Sequence, residues 1–376
     1  MRLDRTKFWD FYEFLPKSSL KASDGMPKGR YPFFTSSAQQ TKWTDSPIYE
    51  ADALIFATGG AAAVHHSNGR FATSADCFVA HPRQPRLVHP RFTYHFLRWN
   101  IAAIEAGFHG AGLRHVSKSF IKDLPLPELP LSEQVRLTEI LDKADALRAK
   151  RRADLAQLDT LTQSIFLDMF GDPATNPKEW QCMPLGEVAT KFSDGPFGSN
   201  LKTEHYTASG VRVIRLQNIG VGEFLDDNKA YISEQHFASL AKHECLPGDV
   251  LIGTLGIPNL RACIQPEWLT RALNKADCVQ LRPDMSVANA VYLCTLLNIP
   301  SVEQMAQALV LGQTRLRISM GRLRGLNVPV PPIDLQNAFA RRANYINITK
   351  SRLCHSLVEL DALFASLQHC AFKGEL

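Results

Sequence analysis

The sequence predicts an α+β chain in which two mixed globules alternate with two long helices, the second half repeating the plan of the first. Three observations predict it. Residues 124–172 and 326–374 align without a gap at a constant offset of 202. Each aligned stretch runs for about 38 residues without Gly or Pro, which is helix length and more. The segments ahead of them carry short β-type runs broken by Gly, Pro and Asn.

In chain order, the first globule occupies 1–123, with strand signals at Ala53–Phe56 and Phe71–Ala80 and helical spacing over 91–106. Residues 124–172 form the central helix. Its lead-in, Leu124-Pro-Leu-Pro-Glu-Leu-Pro130, is too rich in proline for a helix interior, and Ser132 stands where an N-cap belongs. The second globule occupies 173–325, with strand signals at Val211–Gln217, Val250–Thr254 and Cys278–Leu281 and a helix over 286–309. The last helix, 326–376, opens with Val328-Pro-Val-Pro-Pro332 and is expected to be capped by Asp334.

The duplication is carried by particular residues. Leu124, Pro127, Pro130 and Gln134 match Leu326, Pro329, Pro332 and Gln336, and Leu155, Leu158, Asp159, Leu161, Ser164 and Phe170 match Leu357, Leu360, Asp361, Leu363, Ser366 and Phe372. The globules correspond more loosely. Asp52-Ala-Leu-Ile55 pairs with Asp249-Val-Leu-Ile252, Ala75-Asp-Cys77 with Ala276-Asp-Cys278, Tyr94 with Tyr292, and Leu113-Arg114 with Leu316-Arg317. Within the helices, Phe339, Ile346, Leu353, Leu360 and Leu367 recur every seven residues beside Ala343, Leu357, Phe364 and Ala371. The first copy has Leu137, Ala144, Arg151, Leu158 and Ile165, flanked by Leu141, Leu155 and Met169. A seven-residue period keeps one seam on a partner helix, so the two helices are expected to pair as an antiparallel coiled coil. At 1.5 Å per residue, such a rod is roughly 57 Å long.

Composition excludes several classes. No run of 18 apolar residues exists, so no membrane-spanning helix is expected. The opening Met1-Arg2-Leu3-Asp4-Arg5 leads into charged and aromatic residues, unlike a secretory signal. The eight cysteines are scattered without a Cys-x-x-Cys pair, so they read as reduced, mostly buried thiols of a cytoplasmic protein. Forty-two Lys and Arg against 37 Asp and Glu leave a net charge of +5, which permits a polyanionic partner without requiring one.

The linker residues Pro130-Leu-Ser-Glu-Gln134, Ile140-Leu-Asp142, Met169-Phe-Gly-Asp-Pro173, Asn176-Pro-Lys-Glu-Trp180 and Leu185-Gly-Glu187 resemble the specificity subunits of type I restriction–modification systems. The second globule adds Gly210-Val-Arg-Val-Ile214, Gly248-Asp-Val-Leu-Ile252, Asn274 and Gly312-Gln-Thr314, and the first adds Gly29-Arg-Tyr-Pro-Phe-Phe-Thr35. Their order, twice over, covers nearly the whole chain. One departure is local: the second helix starts Pro332-Ile-Asp-Leu-Gln336, without the acidic residue that precedes Gln134. The resemblance implies two target-recognition domains and a non-catalytic subunit. It also implies partner DNA adenine methyltransferase subunits, two of which would dock on the pseudo-two-fold chain, and a restriction/translocase subunit. No cofactor is then expected in this chain, and S-adenosylmethionine, ATP and Mg would belong to the partners. Two heads on a roughly 57 Å rod would reach half-sites at most about 17 base-pair steps apart.

Reading bases in the major groove needs Arg, Lys, Gln and Asn at flexible tips, and phosphates need cations and backbone amides. The second globule offers Lys202, Arg215, Gln217, Asn218, Arg261, Gln313, Thr314, Arg315 and Arg317, with the clusters 212–218 and 312–317 ranked first and Asn259 close to them. The first offers Lys42, His65, His66, Arg70, Arg114 and His115, with Asn68 and Lys118 nearby. Gly256-Ile-Pro-Asn259 is a turn that brings backbone to a phosphate or merely ends a strand. Phe33, Phe34 and Trp43 fit a β-core better than base stacking. Seven of the twelve histidines lie between 65 and 115, yet no metal-ligand spacing accompanies them. No nucleotide-binding, adenine-methylation, nucleophile-elbow or zinc-protease motif is present. Two rival readings are a coiled-coil scaffold whose globules bind proteins or small ligands, and a DNA-modifying enzyme with an unfamiliar site.

Overall fold

The computed structural model describes residues 5–110, 112, 114–311 and 316–376. The chain divides into two compact units, Met1–Ala153 with Cys354–Leu376 and Asp154–Leu353. Two long helices, α5 (Leu131–Phe170) and α10 (Ile333–Lys373), each contribute to both units.

The first unit opens with β1 (Arg5–Lys7), a single turn α1 (Phe8–Phe11) and β2 (Tyr12–Phe14). β3 (Tyr31–Phe34), β4 (Lys42–Thr44), β5 (Tyr49–Ala57), β6 (Val64–Thr73) and β7 (Cys77–Pro82) complete a six-stranded sheet in the order β2-β7-β5-β6-β3-β4. α2 (Pro90–Trp99) and α3 (Ile101–Glu105) follow, then the hairpin β8 (Phe108–His109) and β9 (His115–Val116), α4 (Lys118–Lys122) and β10 (Pro125–Pro127). β10 returns to pair antiparallel with β1.

The second unit repeats this outline with a divided sheet. β11 (Cys182–Pro184) pairs antiparallel with β23 (Asn327–Pro329), the counterpart of β1 with β10. β12 (Ala189–Ser193), β20 (Cys278–Pro283), β17 (Val250–Gly253) and β18 (Arg261–Ile264) form a four-stranded sheet in that order. β13 (Tyr206–Thr207), β15 (Tyr231–Ile232), β14 (Val211–Ile214), β19 (Ala272–Asn274) and β16 (Glu244–Cys245) form a five-stranded one. α6 (Glu234–Ser239), α7 (Ala290–Leu297), α8 (Pro300–Gln307), the hairpin β21 (Val310–Leu311) and β22 (Arg317–Ile318), and α9 (Met320–Arg324) complete it.

The helices enter each core where the heptads place them. In the first unit, Leu137 and Leu141 of α5 and Phe364, Ala371 and Phe372 of α10 share a core with Phe92 and Phe96. In the second, Phe166 and Phe170 of α5 pack on Phe339 and Ala343 of α10 and on Tyr292. Running order is antiparallel in both. Arg148 Nε donates to Asp361 Oδ1 at 2.5 Å while Leu137 lies by the 371–372 end, and Lys350 meets Asp159 at 2.5 Å while Phe166 meets Phe339. Leu155, Leu158 and Leu353 in the second unit, and Leu357 and Leu360 in the first, stay half-buried.

Both helices start one residue before the caps expected from sequence. Pro130 O accepts from Glu133 N and Gln134 N, and Pro332 O accepts from Leu335 N and Gln336 N. The prolines therefore hold the capping position, and Ser132 and Asp334 lie inside the first turn. α5 ends at Gly171, whose φ of +79° is the left-handed cap that glycine adopts without strain; a Cβ there would also stand 2.6 Å from Pro177 Cγ.

Other expectations need local correction. Phe71–Ala80 is not one strand, because Ser74–Asp76 turn between β6 and β7. Val211–Gln217 is a strand only to Ile214, and a 3-10 turn follows. The helices expected over 91–106 and 286–309 are each broken in two, at Asn100 and at Ile299-Pro300. Phe33 and Phe34 are core residues, 1% and 5% exposed, and Trp43 is half-buried. All eight cysteines are free, five of them buried. Among the described residues, no helix is long and apolar enough to cross a membrane, and no group of His, Cys, Asp and Glu could hold a metal ion.

Candidate nucleic-acid interface

At one end of each sheet the same loop cluster is built from different residues. In the first unit, Thr58 follows β5. Its N–H and Oγ1 donate to Asp76 O at 3.0 and 2.9 Å, and its carbonyl accepts from Val116 N at 3.1 Å. A bridge pairs Gly59 with His115. In the second unit, Thr254 follows β17. Its N–H and Oγ1 donate to Asp277 O, both at 3.1 Å, its carbonyl accepts from Ile318 N at 3.0 Å, and a bridge pairs Leu255 with Arg317. Each threonine thus ties a strand end, a tight turn and a small hairpin into one rigid base. On that base the first unit presents Arg114 and His115 and the second Leu316 and Arg317, all exposed.

This pairing also sets the repeat register. His115 is the counterpart of Arg317, so Arg114 corresponds to Leu316, one residue away from the alignment of Arg114 with Arg317; Leu113 lies outside the described residues. Tyr94 is not the counterpart of Tyr292 either. His89 and Asn289 cap α2 and α7 through their side chains, which places Phe92 against Tyr292.

A second duplicated device anchors the helices. Gln134 Oε1 accepts from His89 N at 2.8 Å, and Gln134 Nε2 donates to Leu87 O and Leu129 O at 3.0 and 2.8 Å. Gln336 does the same with Asn289 N at 2.9 Å and with Val287 O and Pro331 O at 3.1 and 2.7 Å. Both glutamines are buried, 3% and 0% exposed. They hold the helix starts to the globules, which explains why they recur in the sequence.

The candidate contact residues fall into distinct groups. Several are engaged in holding loops. Asn218 is fully buried, accepts from Arg215 N and donates to Leu225 O and Asp227 O at 2.9 and 2.8 Å. Arg261 donates to the carbonyls of Ile219, Leu255, Pro258 and Leu216 within 2.7–3.1 Å, stapling the 216–219 turn to the 255–258 turn. Arg215 reaches Asn228 O, and Lys42 Nζ donates to Ala22 O at 2.5 Å. His65 Nε2 donates to Ser37 O at 2.9 Å, and burial pulls its pKa below the usual imidazole value. His66 contacts Asp52 at 2.7 Å. These residues shape the loops rather than offer donors to solvent.

Other candidates are exposed but face a carboxylate. Arg70 pairs with Glu50 at 3.0 Å, Arg114 with Glu105 at 3.5 Å, Lys202 with Glu204 at 3.5 Å and Arg317 with Asp277 at 3.5 Å. His115 Nδ1 lies 3.1 Å from Thr58 O, leaving Nε2 outward, and Gln217 is exposed. Gln313, Thr314 and Arg315 lie outside the described residues. Asn68 is exposed on β6. The Gly256–Asn259 turn ends β17 and presents Ile257, which is 98% exposed, beside Pro258 in a cis peptide.

Sequence reasoning missed the acidic side of this surface. Asp194, at the end of β12, has its pKa raised to about 6 by burial, with the Asp277 charge adding to the effect and the Gly195 N–H opposing it. It also missed the buried Asp249, which takes a bidentate pair from Arg282 at 2.8 and 2.9 Å plus a bond from Gln280 Nε2 at 2.5 Å. The alignment of Asp249 with Asp52 was the available signal, since both hold a cationic or imidazole partner from a neighbouring strand.

Known proteins resemble the chain along these lines. Residues 7–157 match the family described as the type I restriction modification DNA specificity domain. The MjaVIII type I restriction enzyme specificity subunit of Methanocaldococcus jannaschii is 19% identical over 74% of this chain and 68% of its own length. The EcoBI specificity subunit of Escherichia coli is 22% identical over 76% of this chain and 65% of its own length, so the match spans about two thirds of these relatives. In fold, a type I restriction–modification S subunit from M. genitalium superposes with a TM-score of 0.66 at 16% identity, over 99% of this chain and 96% of that one. A chain from a study of complex assembly and conformational transition in the type I R-M system superposes at 0.56 with 17% identity, over 100% and 98%.

Proposed function

We propose that this chain is a specificity subunit of a type I restriction–modification system, that it reads a bipartite and asymmetric DNA site, one half with each unit, and that it catalyses no reaction itself. The observation that carries the proposal is the loop cluster built twice on Thr58 and Thr254, bearing His115 in one copy where the other bears Arg317. Like loop bases carry unlike residues at equivalent places, His115 against Arg317, and these read unlike half-sites. A scaffold binding proteins or small ligands leaves that arrangement without a task.

Base contacts are assigned to Arg114 and His115 in the first unit, and to Gln217, Gln313, Thr314, Arg315 and Arg317 in the second. Arg70 and Lys202 suit phosphates, once DNA competes with their single exposed carboxylate partners. The partners are double-stranded DNA, DNA adenine methyltransferase subunits and a restriction/translocase subunit. Two methyltransferase subunits fit the repeated plan, because equivalent surfaces recruit equivalent partners. S-adenosylmethionine, ATP and Mg belong to those partners, and the complex works in the cytoplasm.

Salt tests the proposal. Binding to duplex DNA, followed by fluorescence anisotropy, should weaken as a power of salt concentration with a slope of roughly −0.9 for each phosphate bound. A chain with no affinity for duplex at low salt would refute it.

A further inference from the structure

Outside the loop cluster, the first unit carries a surface on which positive charge rests on aromatic rings instead of carboxylates. Trp9 stacks near Phe14 with centroids 6.4 Å apart, and Phe14 meets Phe78 edge-on at 5.8 Å, so the three rings form one strip. Four cations cover it. Arg83 and Lys122 each stand 3.8 Å from the Trp9 ring centre. Lys118 lies 5.3 Å from Phe14 and 5.2 Å from Phe78, and Lys17 lies 5.8 Å from Phe78.

The distinction between this strip and the candidate cations Arg70 and Arg114 is physical. Arg70 and Arg114 each face a carboxylate, which neutralises them and must be displaced before they can serve an anion. A ring attracts a cation without cancelling its charge or using its N–H donors. The side chains over the strip are therefore positioned and still fully charged. Arg83 gives one N–H to Tyr12 O at 3.1 Å and keeps its outer nitrogens. Of the neighbouring acids, Asp123 is held by Lys7 at 2.8 Å and Glu13 by His81 at 3.0 Å, while Asp10 accepts from Thr6 Oγ1 and Lys7 N at 2.8 and 3.0 Å and also feels the charge of Arg83 without an ion pair to it.

The strip also adjoins the loop cluster. Lys118 follows His115 by three residues, and Phe78 pairs with Phe56 just before Thr58. We propose that these four cations, held over Trp9, Phe14 and Phe78, clamp the DNA phosphate backbone beside the bases read by the first unit. This rests on the DNA-reading function proposed above and names a part of its binding surface. Such a clamp positions the protein and carries no base information.

The test compares the full chain with a variant carrying Lys17→Gln, Arg83→Gln, Lys118→Gln and Lys122→Gln, using anisotropy on a mixed-sequence duplex across a salt series. Each phosphate that is no longer neutralised should flatten the slope by about 0.9, so the exponent of the fourfold variant should shrink by about 2 to 4 and its binding should weaken roughly 10- to 1000-fold at low salt. Replacing the lysines by Arg should keep the slope. If the fourfold variant fails a circular-dichroism check of folding, the pair Lys17→Gln with Lys118→Gln is read instead, with a decrease of about 1 to 2 in the exponent. An unchanged slope, in a parent whose binding is salt-dependent, overturns the clamp and leaves the DNA-reading function standing. An unchanged slope together with failure to capture the methyltransferase subunit also overturns it and makes the strip a protein-docking face. A parent without salt-dependent binding overturns both.

Discussion

Gln134 and Gln336 show what a single residue does in this fold. Each closes three hydrogen bonds to backbone groups that have no other use for them. Gln134→Leu keeps the volume and strands a buried N–H and two carbonyls, so it should cost about 2 to 4 kcal/mol in a urea titration. A loss under about 0.5 kcal/mol would contradict the anchoring role. Asp194 makes a pH prediction. Its folded pKa, about 6, exceeds the ordinary 3.8, so between those values the native state holds a proton that the unfolded chain has released. Stability should fall as pH rises through about 6. Asp194→Asn should remove that dependence and stabilise the protein at pH 7.5 by about 1 to 2 kcal/mol, after allowance for solvent screening. Matching urea midpoints for parent and variant at pH 5 and 7.5 would refute it. Residue types were legible in the sequence, but their duties were not: Asn218 and Arg261 looked like exposed donors, and only the tertiary turn they stitch makes them internal.

The long helices were the most legible elements, because a gap in Gly and Pro together with a seven-residue period is a local signal. Their caps were misplaced by two residues, since Pro130 and Pro332 cap with backbone carbonyls while Ser132 and Asp334 had the favoured side chains. The strands of the globules were legible where apolar runs are buried on both faces, as in β5 and β17. Short pairs such as β8 with β9 and β21 with β22 carry no periodic signal of two residues and were missed. At this scale the seam is unequal. Phe339 is fully buried, edge-on to Phe166 and Phe170 at 5.5 Å each, whereas Leu353 is half-buried. Phe339→Ala should cost about 3 to 5 kcal/mol and Leu353→Ala much less, about 1 to 2. Equal shifts in thermal melts of the two variants would contradict this reading of the seam.

For the molecule as a whole, the net charge of +5 decides nothing about DNA, because most of its exposed cations that were candidates face carboxylates. The repeat says more. It appears in sequence as a 202-residue offset, and in structure as two loop bases, two glutamine anchors and two short strand pairs built to one plan. The divergence of the two sheets around that plan was hidden from the sequence, since unlike loops of unlike length blur any alignment of the globules. If unlike residues on like loop bases read two half-sites, each unit can be altered separately. The most direct measurement is co-expression with the partner methyltransferase followed by modified-base sequencing, for the parent and for Gln313→Ala with Arg315→Ala. A bipartite adenine motif that loses or relaxes one half in the variant, with the other half intact, is the predicted result. A single undivided motif, no motif, or a variant motif identical to the parent's would contradict it.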